Sequence, residues 1–153
     1  MERKTCYIYG NVDNESLELY GKLKKKLEEL IFKYEIENFL FNESGKFSYI
    51  CYELLSEIKN SNIKRIYCYG ENIIKQNFYD YKQLSNGLYD DFLCVVSGSF
   101  GEKNRCIEIM KIIDKCDYIF LNFKDNQELV DFIRVYAQIK NKEIIFFNEL
   151  RIN

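Results

Sequence analysis

The sequence contains no histidine, no proline and no tryptophan. Without histidine, the chain cannot build Ser-His or Cys-His catalytic pairs or imidazole metal sites. Its 6 cysteines are scattered and none forms a C-x-x-C pair, which argues against structural zinc. We therefore expect no metal and no cofactor. We interpret the thiols as small buried groups of a protein from the reducing cytoplasm.

Long apolar runs and blocks of one charge are also missing. No stretch approaches the roughly 18 apolar residues that a membrane span requires, and no signal peptide is recognisable before the first strand-like segment. The formal net charge is −2, with acids and bases mixed along the chain. This balance argues against a nucleic-acid partner. The sequence favours a cytoplasmic protein that has no membrane partner.

The chain does contain a regular alternation of strand-like and helix-like segments. The run from Thr5 to Tyr9 is rich in β-forming residues, and apolar residues then recur every three or four positions from Leu17 to Ile31. Asp13 or Asn14 is the expected N-cap of this helix. Further units of the same kind follow, in the order β-α-β-α-β-(α)-β-α-β-α-β. We predict one α/β domain over residues 1–153, Rossmann-like, with a mostly parallel sheet of about six strands and helices on both faces.

Most aromatic residues fall on the strand-like segments, which suits a sheet that is buried on both faces. The second of these strands is expected to begin at Asn38. The segment from Glu71 to Tyr89 is harder to interpret and is predicted to hold two short helices. The phenylalanines expected in the core are Phe39, Phe41, Phe120, Phe146 and Phe147.

Polar residues after the strands are the candidates for function, because ligands of open α/β sheets collect beyond the carboxyl ends of the strands. The first loop offers Tyr9, Gly10 and Asn11. Tyr9 could stack on a base while Asn11 hydrogen-bonds it, or the loop could serve only to cap the helix. The remaining ligand-binding candidates follow the second, fourth and fifth strands: Asn42, Ser44, Ser97, Gly98, Ser99, Asn122, Asp125 and Asn126.

Two of these loops suggest particular chemistry. The stretch Ser97-Gly98-Ser99 precedes a helix, so its backbone N–H groups could cradle an anion or the loop could close over a ligand. An ordinary flexible connection is the competing interpretation. Glu43 is the carboxylate that we nominate as a catalytic acid or base, with loop solvation and helix capping as the alternative.

Several short phrases, spread over nearly the whole chain, resemble the SLOG superfamily, and in particular the small single-domain SLOG proteins common in Firmicutes. The phrases are Thr5-Cys6-Tyr7-Ile8, Phe39-Leu40-Phe41, Phe47 with Cys51, Ile63-Lys64-Arg65-Ile66-Tyr67, Ile112-Ile113-Asp114-Lys115-Cys116-Asp117-Tyr118, and Tyr136-Ala137 with Lys142-Glu143-Ile144-Ile145. The resemblance implies a Rossmann-like fold with a phosphate-binding pocket at the strand ends. The superfamily includes phosphoribohydrolases, a DNA-loading protein and sensors of nucleotide-derived second messengers.

The chain departs from those relatives in the polar pocket motifs. Tyr9-Gly10-Asn11 stands where they have Gly-His-Arg, and Asn42-Glu43 stands where they have Gly-Ser. Their Arg-Asn pair falls on Glu108-Ile109, with Arg105 one turn earlier, and their Ser-Gly-Thr falls on Glu128-Leu129-Val130. A carboxylate at the start of the last helix disfavours an anion there.

Because the apolar frame is retained and the pocket motifs are rewritten, we favour a binding module over an enzyme. The module would sense or sequester a nucleotide-derived small molecule in signalling or phage defence, as a bacterial or phage protein. One alternative is an N-glycosidase or deoxyribosyltransferase that uses a carboxylate such as Glu43. A second alternative is a non-catalytic protein that forms a homo-oligomer or binds a partner protein.

Overall fold

The computed structural model of the chain describes residues 3–12, 16–42, 46–58, 62–70, 89–95, 102–122 and 128–147. Within these ranges there are six strands and four helices. The strands are β1 (Lys4–Gly10), β2 (Ile36–Phe41), β3 (Lys64–Gly70), β4 (Asp91–Val95), β5 (Tyr118–Asn122) and β6 (Glu143–Phe146). The helices are α1 (Leu17–Phe32), α2 (Lys46–Glu57), α3 (Glu102–Asp114) and α4 (Glu128–Ile139).

All six strands lie in one parallel sheet, in the order β4-β3-β2-β1-β5-β6. The first four strands extend the sheet in one direction from β1. The chain then returns to the other side of β1 to add β5 and β6. The expected Rossmann-like α/β fold, with a mostly parallel sheet of about six strands, is confirmed.

The helices cover both faces of the sheet, as expected. Alternate side chains of β1 divide between two cores: Cys6 and Ile8 pack with α1 and α2, whereas Tyr7 and Tyr9 pack with α3 and α4. This alternation follows from the two-residue period of a strand. Since both faces are covered, β1 is apolar almost throughout.

The first helix begins two or three residues later than the expected caps would place it. The N-cap is Ser16, whose Oγ accepts a hydrogen bond from the Leu19 N–H at 3.0 Å. The expectation of Asp13 or Asn14 as N-cap is therefore wrong. Ser16 has extended backbone angles (φ −143°, ψ 159°), as an N-cap requires.

Replacing this cap gives a first testable prediction. Ser16→Ala should lower the free energy of unfolding by about 1 kcal/mol, because the Leu19 N–H loses its acceptor. Urea denaturation followed by circular dichroism measures the change. Ser16→Asp supplies another capping oxygen and should leave stability close to that of the wild type. Equal stability of the alanine variant and the wild type would contradict the assignment.

Two details of the sheet differ from expectation. Strand β2 begins at Ile36, two residues before Asn38, because Ile36 pairs with Lys4 of β1. Phe146 was expected in the core but is 44% exposed, whereas Phe39, Phe41, Phe120 and Phe147 are buried. Phe146 lies on β6, an edge strand of the sheet, where one face is less covered. The two short helices expected between Glu71 and Tyr89 fall almost entirely outside the described residues.

The cysteines are free thiols. Cys6, Cys51, Cys68 and Cys116 are buried, which confirms their interpretation as small core groups, whereas Cys94 and Cys106 are only partly buried. Burial raises the pKa of Cys6 and of Cys51 well above the ordinary thiol value, and it raises the pKa of Cys68 and of Cys116 to about 12. These four thiols are therefore protonated and unreactive at neutral pH.

Among the described residues, no three metal-ligating side chains come close enough together to hold an ion. Within the same parts of the chain, no helix is both long and apolar enough to cross a bilayer.

Candidate functional site

The order of the strands creates one topological switch point, between β1 and β5. The chain leaves β1 towards β2 on one side, and it reaches β5 on the other side. The helices that follow these two strands, α1 and α4, pack on opposite faces of the sheet. At such a switch point an open parallel sheet is expected to form a crevice at the carboxyl ends of its strands. Gly10 is paired with Asn122 in the register, so these two candidate residues lie side by side at the carboxyl ends of β1 and β5.

Gly10 brings the backbones of β1 and β5 unusually close together. Its φ angle is +149°, a value that side-chain-bearing residues rarely adopt. A Cβ atom at this position would lie 1.9 Å from the carbonyl oxygen of Asn122. Position 10 therefore requires glycine, because the backbone of β5 leaves no room for a side chain there.

Asn11 and Asn122 hold the first loop in place through two hydrogen bonds. The Asn11 N–H donates to the carbonyl oxygen of Asn122 at 3.0 Å. The side-chain Nδ2 of Asn122 donates to the carbonyl oxygen of Asn11 at 2.7 Å. Asn122 is 0% exposed, whereas Asn11 is exposed. We call these two hydrogen bonds the clamp. Through them the buried Asn122 fixes the backbone of the exposed Asn11.

A second polar contact joins β1 to the end of β2. The Tyr7 hydroxyl donates a hydrogen bond to Oδ1 of Asn42 at 2.8 Å. Tyr7 is fully buried, so this bond satisfies a phenol that would otherwise be costly to desolvate. Asn42 is half-buried at the carboxyl edge of the sheet. Its amide oxygen is therefore oriented from below by Tyr7.

Tyr9 connects β1 to α3 on the same face of the sheet. Nη2 of Arg105 donates to the Tyr9 hydroxyl across 3.5 Å, a long hydrogen bond. The rings of Tyr7 and Tyr9 lie 5.9 Å apart and are tilted by 52°. Tyr9 is only 5% exposed, which leaves little of its ring face accessible for stacking on a base. Arg105 is exposed in the first turns of α3.

Burial keeps both phenols neutral. It raises the pKa of Tyr7 well above its usual value. It also raises the pKa of Tyr9, although the neighbouring guanidinium of Arg105 opposes the shift. At neutral pH the described part of the site therefore carries hydroxyls, amides and one guanidinium. Groups of these kinds donate and accept hydrogen bonds, and those in the described part of the site include no carboxylate.

The structure thus brings together five of the candidate residues, on three adjacent strands and the positions that directly follow them. These are Tyr9, Gly10, Asn11, Asn42 and Asn122. The other candidates lie outside the described residues: Glu43, Ser44, Ser97, Gly98, Ser99, Asp125 and Asn126. Their assigned roles, including the catalytic role of Glu43, stay predictions.

One open depression, of about 340 Å³, lies elsewhere on the described surface. Cys94 and Val95 of β4 line it together with Lys111, Asp114 and Lys115 at the end of α3. None of the candidate residues in the described ranges lines it. The candidate site is therefore defined by the switch point and not by this depression.

Two participants in the site were not nominated from the sequence. Tyr7 orients Asn42, and Arg105 contacts Tyr9. The alternation of Tyr7 and Tyr9 in an apolar strand was a usable signal, because a buried phenol requires a hydrogen-bond partner. The position of Arg105 depends on how α3 packs, which the spacing of its residues does not reveal.

Comparisons of the chain with protein-family models, with curated proteins and with solved structures give no match in any of the three.

Proposed function

We propose that the protein is a binding module for a nucleotide-derived small molecule, held at the carboxyl ends of β1, β2 and β5. The observation that carries the proposal is the meeting of Asn11, Asn42 and Tyr9 around the switch point between β1 and β5. Ligands of open parallel sheets bind at such points. The exposed amide of Asn11 and the half-buried amide of Asn42, together with the guanidinium of Arg105, suit a ligand that combines a base or sugar with a phosphate.

We assign the binding of the ligand's phosphate to Arg105. Its guanidinium lies within hydrogen-bonding distance of Tyr9 at the edge of the crevice, and it remains exposed. A guanidinium has five donors in a fixed plane, which suits the oxygens of a phosphate. Asn122 holds the first loop in position, because its Nδ2 donates a hydrogen bond to the carbonyl oxygen of Asn11.

The described groups suit binding, because they are amides, phenols and a guanidinium. The carboxylate that an N-glycosidase needs near the reacting bond is nominated at Glu43, which lies outside the described residues. The phenols are held neutral by burial. A sensor or sequestering protein of the SLOG type, acting in signalling or phage defence, is consistent with this set of groups.

The proposal predicts a specific loss of affinity on changing Arg105. Wild-type protein should bind at least one member of a panel containing AMP, ADP-ribose and cyclic mono- and dinucleotides, as measured by isothermal titration calorimetry. Arg105→Gln should weaken that binding by roughly 10- to 100-fold, because a hydrogen bond to a charged group contributes about 1.5–3 kcal/mol. Tyr9→Phe should weaken it less, since it removes only a neutral hydroxyl.

Arg3→Gln is the matched control. Arg3 precedes β1 at the amino ends of the strands, at the other end of the sheet from the candidate site. Its Nε lies 3.3 Å from Oε2 of Glu37. Its replacement should leave affinity unchanged within about twofold. Absence of binding by the wild type across the whole panel would overturn the proposal. Equal loss in the two arginine variants would show that Arg105 acts only through net charge.

A further inference from the structure

The hydrogen bond between Tyr7 and Asn42 fixes which end of the Asn42 amide faces the buried side. The Tyr7 hydroxyl donates to Oδ1 of Asn42 at 2.8 Å, and Tyr7 is 0% exposed. Within the described ranges, this oxygen is the one acceptor that the hydroxyl reaches. If the amide were turned round, Nδ2 would donate to the phenol oxygen, and the buried O–H group would lose its acceptor. Because that loss is costly for a buried donor, Oδ1 stays on the Tyr7 side.

The other end of the same amide is therefore a hydrogen-bond donor. Asn42 directly follows β2 at the carboxyl edge of the sheet and is half-buried. The two N–H groups of Nδ2 extend from the amide on the side away from the oxygen that Tyr7 engages. In the part of the chain that the structure describes, Nδ2 of Asn42 has no acceptor. A ligand that binds against this edge satisfies the donor only with an acceptor atom.

Nucleobases differ in what they offer to such a donor. Hypoxanthine, guanine and uracil carry a carbonyl oxygen at the ring position where adenine and cytosine carry an amino group. The carbonyl oxygen accepts from Nδ2, whereas the amino group places a second donor against it. Asparagine can pair with adenine through both ends of its amide, but this pairing requires Oδ1 to face the base beside Nδ2. In this chain Tyr7 holds Oδ1 of Asn42 on the buried side, which disfavours that pairing.

Asn42 and Arg105 lie around the two phenols of β1, so a single ligand can contact both. Arg105 contacts Tyr9, and its charge opposes the rise in pKa that burial causes in Tyr7 and in Tyr9. Asn42 contacts Tyr7, whose ring centre lies 5.9 Å from that of Tyr9. A nucleotide bound across the two tyrosines can therefore place its phosphate at Arg105 and its base at Asn42.

We propose that Asn42 makes the site selective for nucleotides whose base carries a carbonyl oxygen, as in hypoxanthine, guanine or uracil, over nucleotides of adenine or cytosine. The inference rests on the proposed function, since it requires a nucleotide at the carboxyl ends of β1, β2 and β5. Asn42 donates to the base. Tyr7 is a positioning residue, because it holds the amide oxygen away from the ligand.

Isothermal titration calorimetry with two matched pairs of probes tests this selectivity: IMP against AMP, and UMP against CMP. The wild type should bind the carbonyl member of at least one pair roughly tenfold more tightly than the amino member, because the amino group meets the Nδ2 donor. Asn42→Asp keeps an acceptor for Tyr7 but replaces the donor with a carboxylate oxygen, so it should favour the amino member. The added charge acts equally on both members of a pair, since they carry the same phosphate.

Tyr7→Phe tests the positioning role. Without the phenol the Asn42 amide can turn either way, so the ratio of the two affinities should fall towards one, a change that a purely structural role would not produce. Melting curves verify that the variants fold. Asn38→Asp is the matched control, because Asn38 lies in the amino-terminal half of β2, where its Nδ2 is 3.4 Å from Oγ1 of Thr5. This variant should keep the wild-type ratio.

The outcomes separate this inference from the proposed function. A wild type that binds AMP and CMP as tightly as IMP and UMP would overturn the inference and leave the binding function intact. The same conclusion follows if ADP-ribose binds and neither IMP nor UMP does. A preference for the carbonyl member that survives Asn42→Asp would also overturn it. If no nucleotide of either pair and no member of the earlier panel binds, the proposed function fails, and the inference fails with it.

Discussion

Gly10→Ala is expected to destabilise the protein by about 3 kcal/mol or more, the largest effect of any single methyl group considered in this chain. Two causes act together. The new Cβ would lie 1.9 Å from the carbonyl oxygen of Asn122, and the φ angle of +149° is strained for alanine. The contacted atom belongs to the backbone of β5, so no side-chain rotation relieves the overlap. Urea denaturation of both proteins measures the difference.

The same substitution at Gly21 should have the opposite sign. Gly21 lies within α1, and a Cβ atom there would meet nothing within 4 Å. Alanine stabilises a helix interior by about 1 kcal/mol relative to glycine, so Gly21→Ala should raise the free energy of unfolding. If Gly10→Ala cost no more than a few tenths of a kcal/mol, the close approach of β1 and β5 would be refuted.

Asn122→Asp is expected to cost about 3 kcal/mol or more at pH 8, because it places a carboxylate in a fully buried position. In the native protein, Nδ2 of Asn122 donates to the carbonyl oxygen of Asn11 at 2.7 Å. A carboxylate oxygen in that place repels the carbonyl instead. The variant should also lose ligand affinity, since the first loop loses its clamp.

The cost of Asn122→Asp should depend on pH in a defined direction. Burial and the nearby carbonyl raise the pKa of the new carboxyl group in the folded state above its value in the unfolded chain. Below the unfolded pKa both states are protonated, and the neutral acid can donate to the Asn11 carbonyl. As the pH rises through the unfolded pKa towards the folded pKa, the variant loses up to about 1.4 kcal/mol per pH unit.

Urea denaturation of the wild type and the variant between pH 4.5 and 8 gives the stability difference, which should grow with pH and then level off. The control is Asn141→Asp, in the exposed turn between α4 and β6, where φ is +57°. There the new carboxylate remains solvated, and the difference should stay below about 0.5 kcal/mol at every pH. A cost of Asn122→Asp that did not change with pH would show that the new carboxyl has the same pKa in the folded and unfolded states, which would contradict its burial beside the Asn11 carbonyl.

Much of the fold could be predicted because its residues follow simple periods. The three-and-four spacing of Leu19, Leu23, Leu27 and Leu30 marks the buried side of α1 before any contact is known. The cap was harder to predict, because several residues able to cap precede the helix, and only the backbone angles select Ser16. Phe146 could not be assigned to an edge strand until the strand order was known.

The candidate site was predictable in location but not in its internal contacts. The rule that ligands collect at strand ends was enough to nominate Asn11, Asn42 and Asn122. It could not indicate that Asn122 faces inward, since that depends on which strand lies beside β1. The Tyr7–Asn42 and Arg105–Tyr9 contacts join residues 35 and 96 positions apart, and such pairs are set by tertiary packing.

The clamp between Asn122 and Asn11 also determines when the site can exist during folding. It joins residues 111 positions apart, and β5 reaches β1 only after β2, β3 and β4 have been synthesised. A nascent chain that ends before β5 has no partner for the outer side of β1 and no support for the first loop. Contacts between such distant positions form late and slowly. On the ribosome, the contact that supports the proposed ligand site should therefore appear in a single late step, after β5 has emerged.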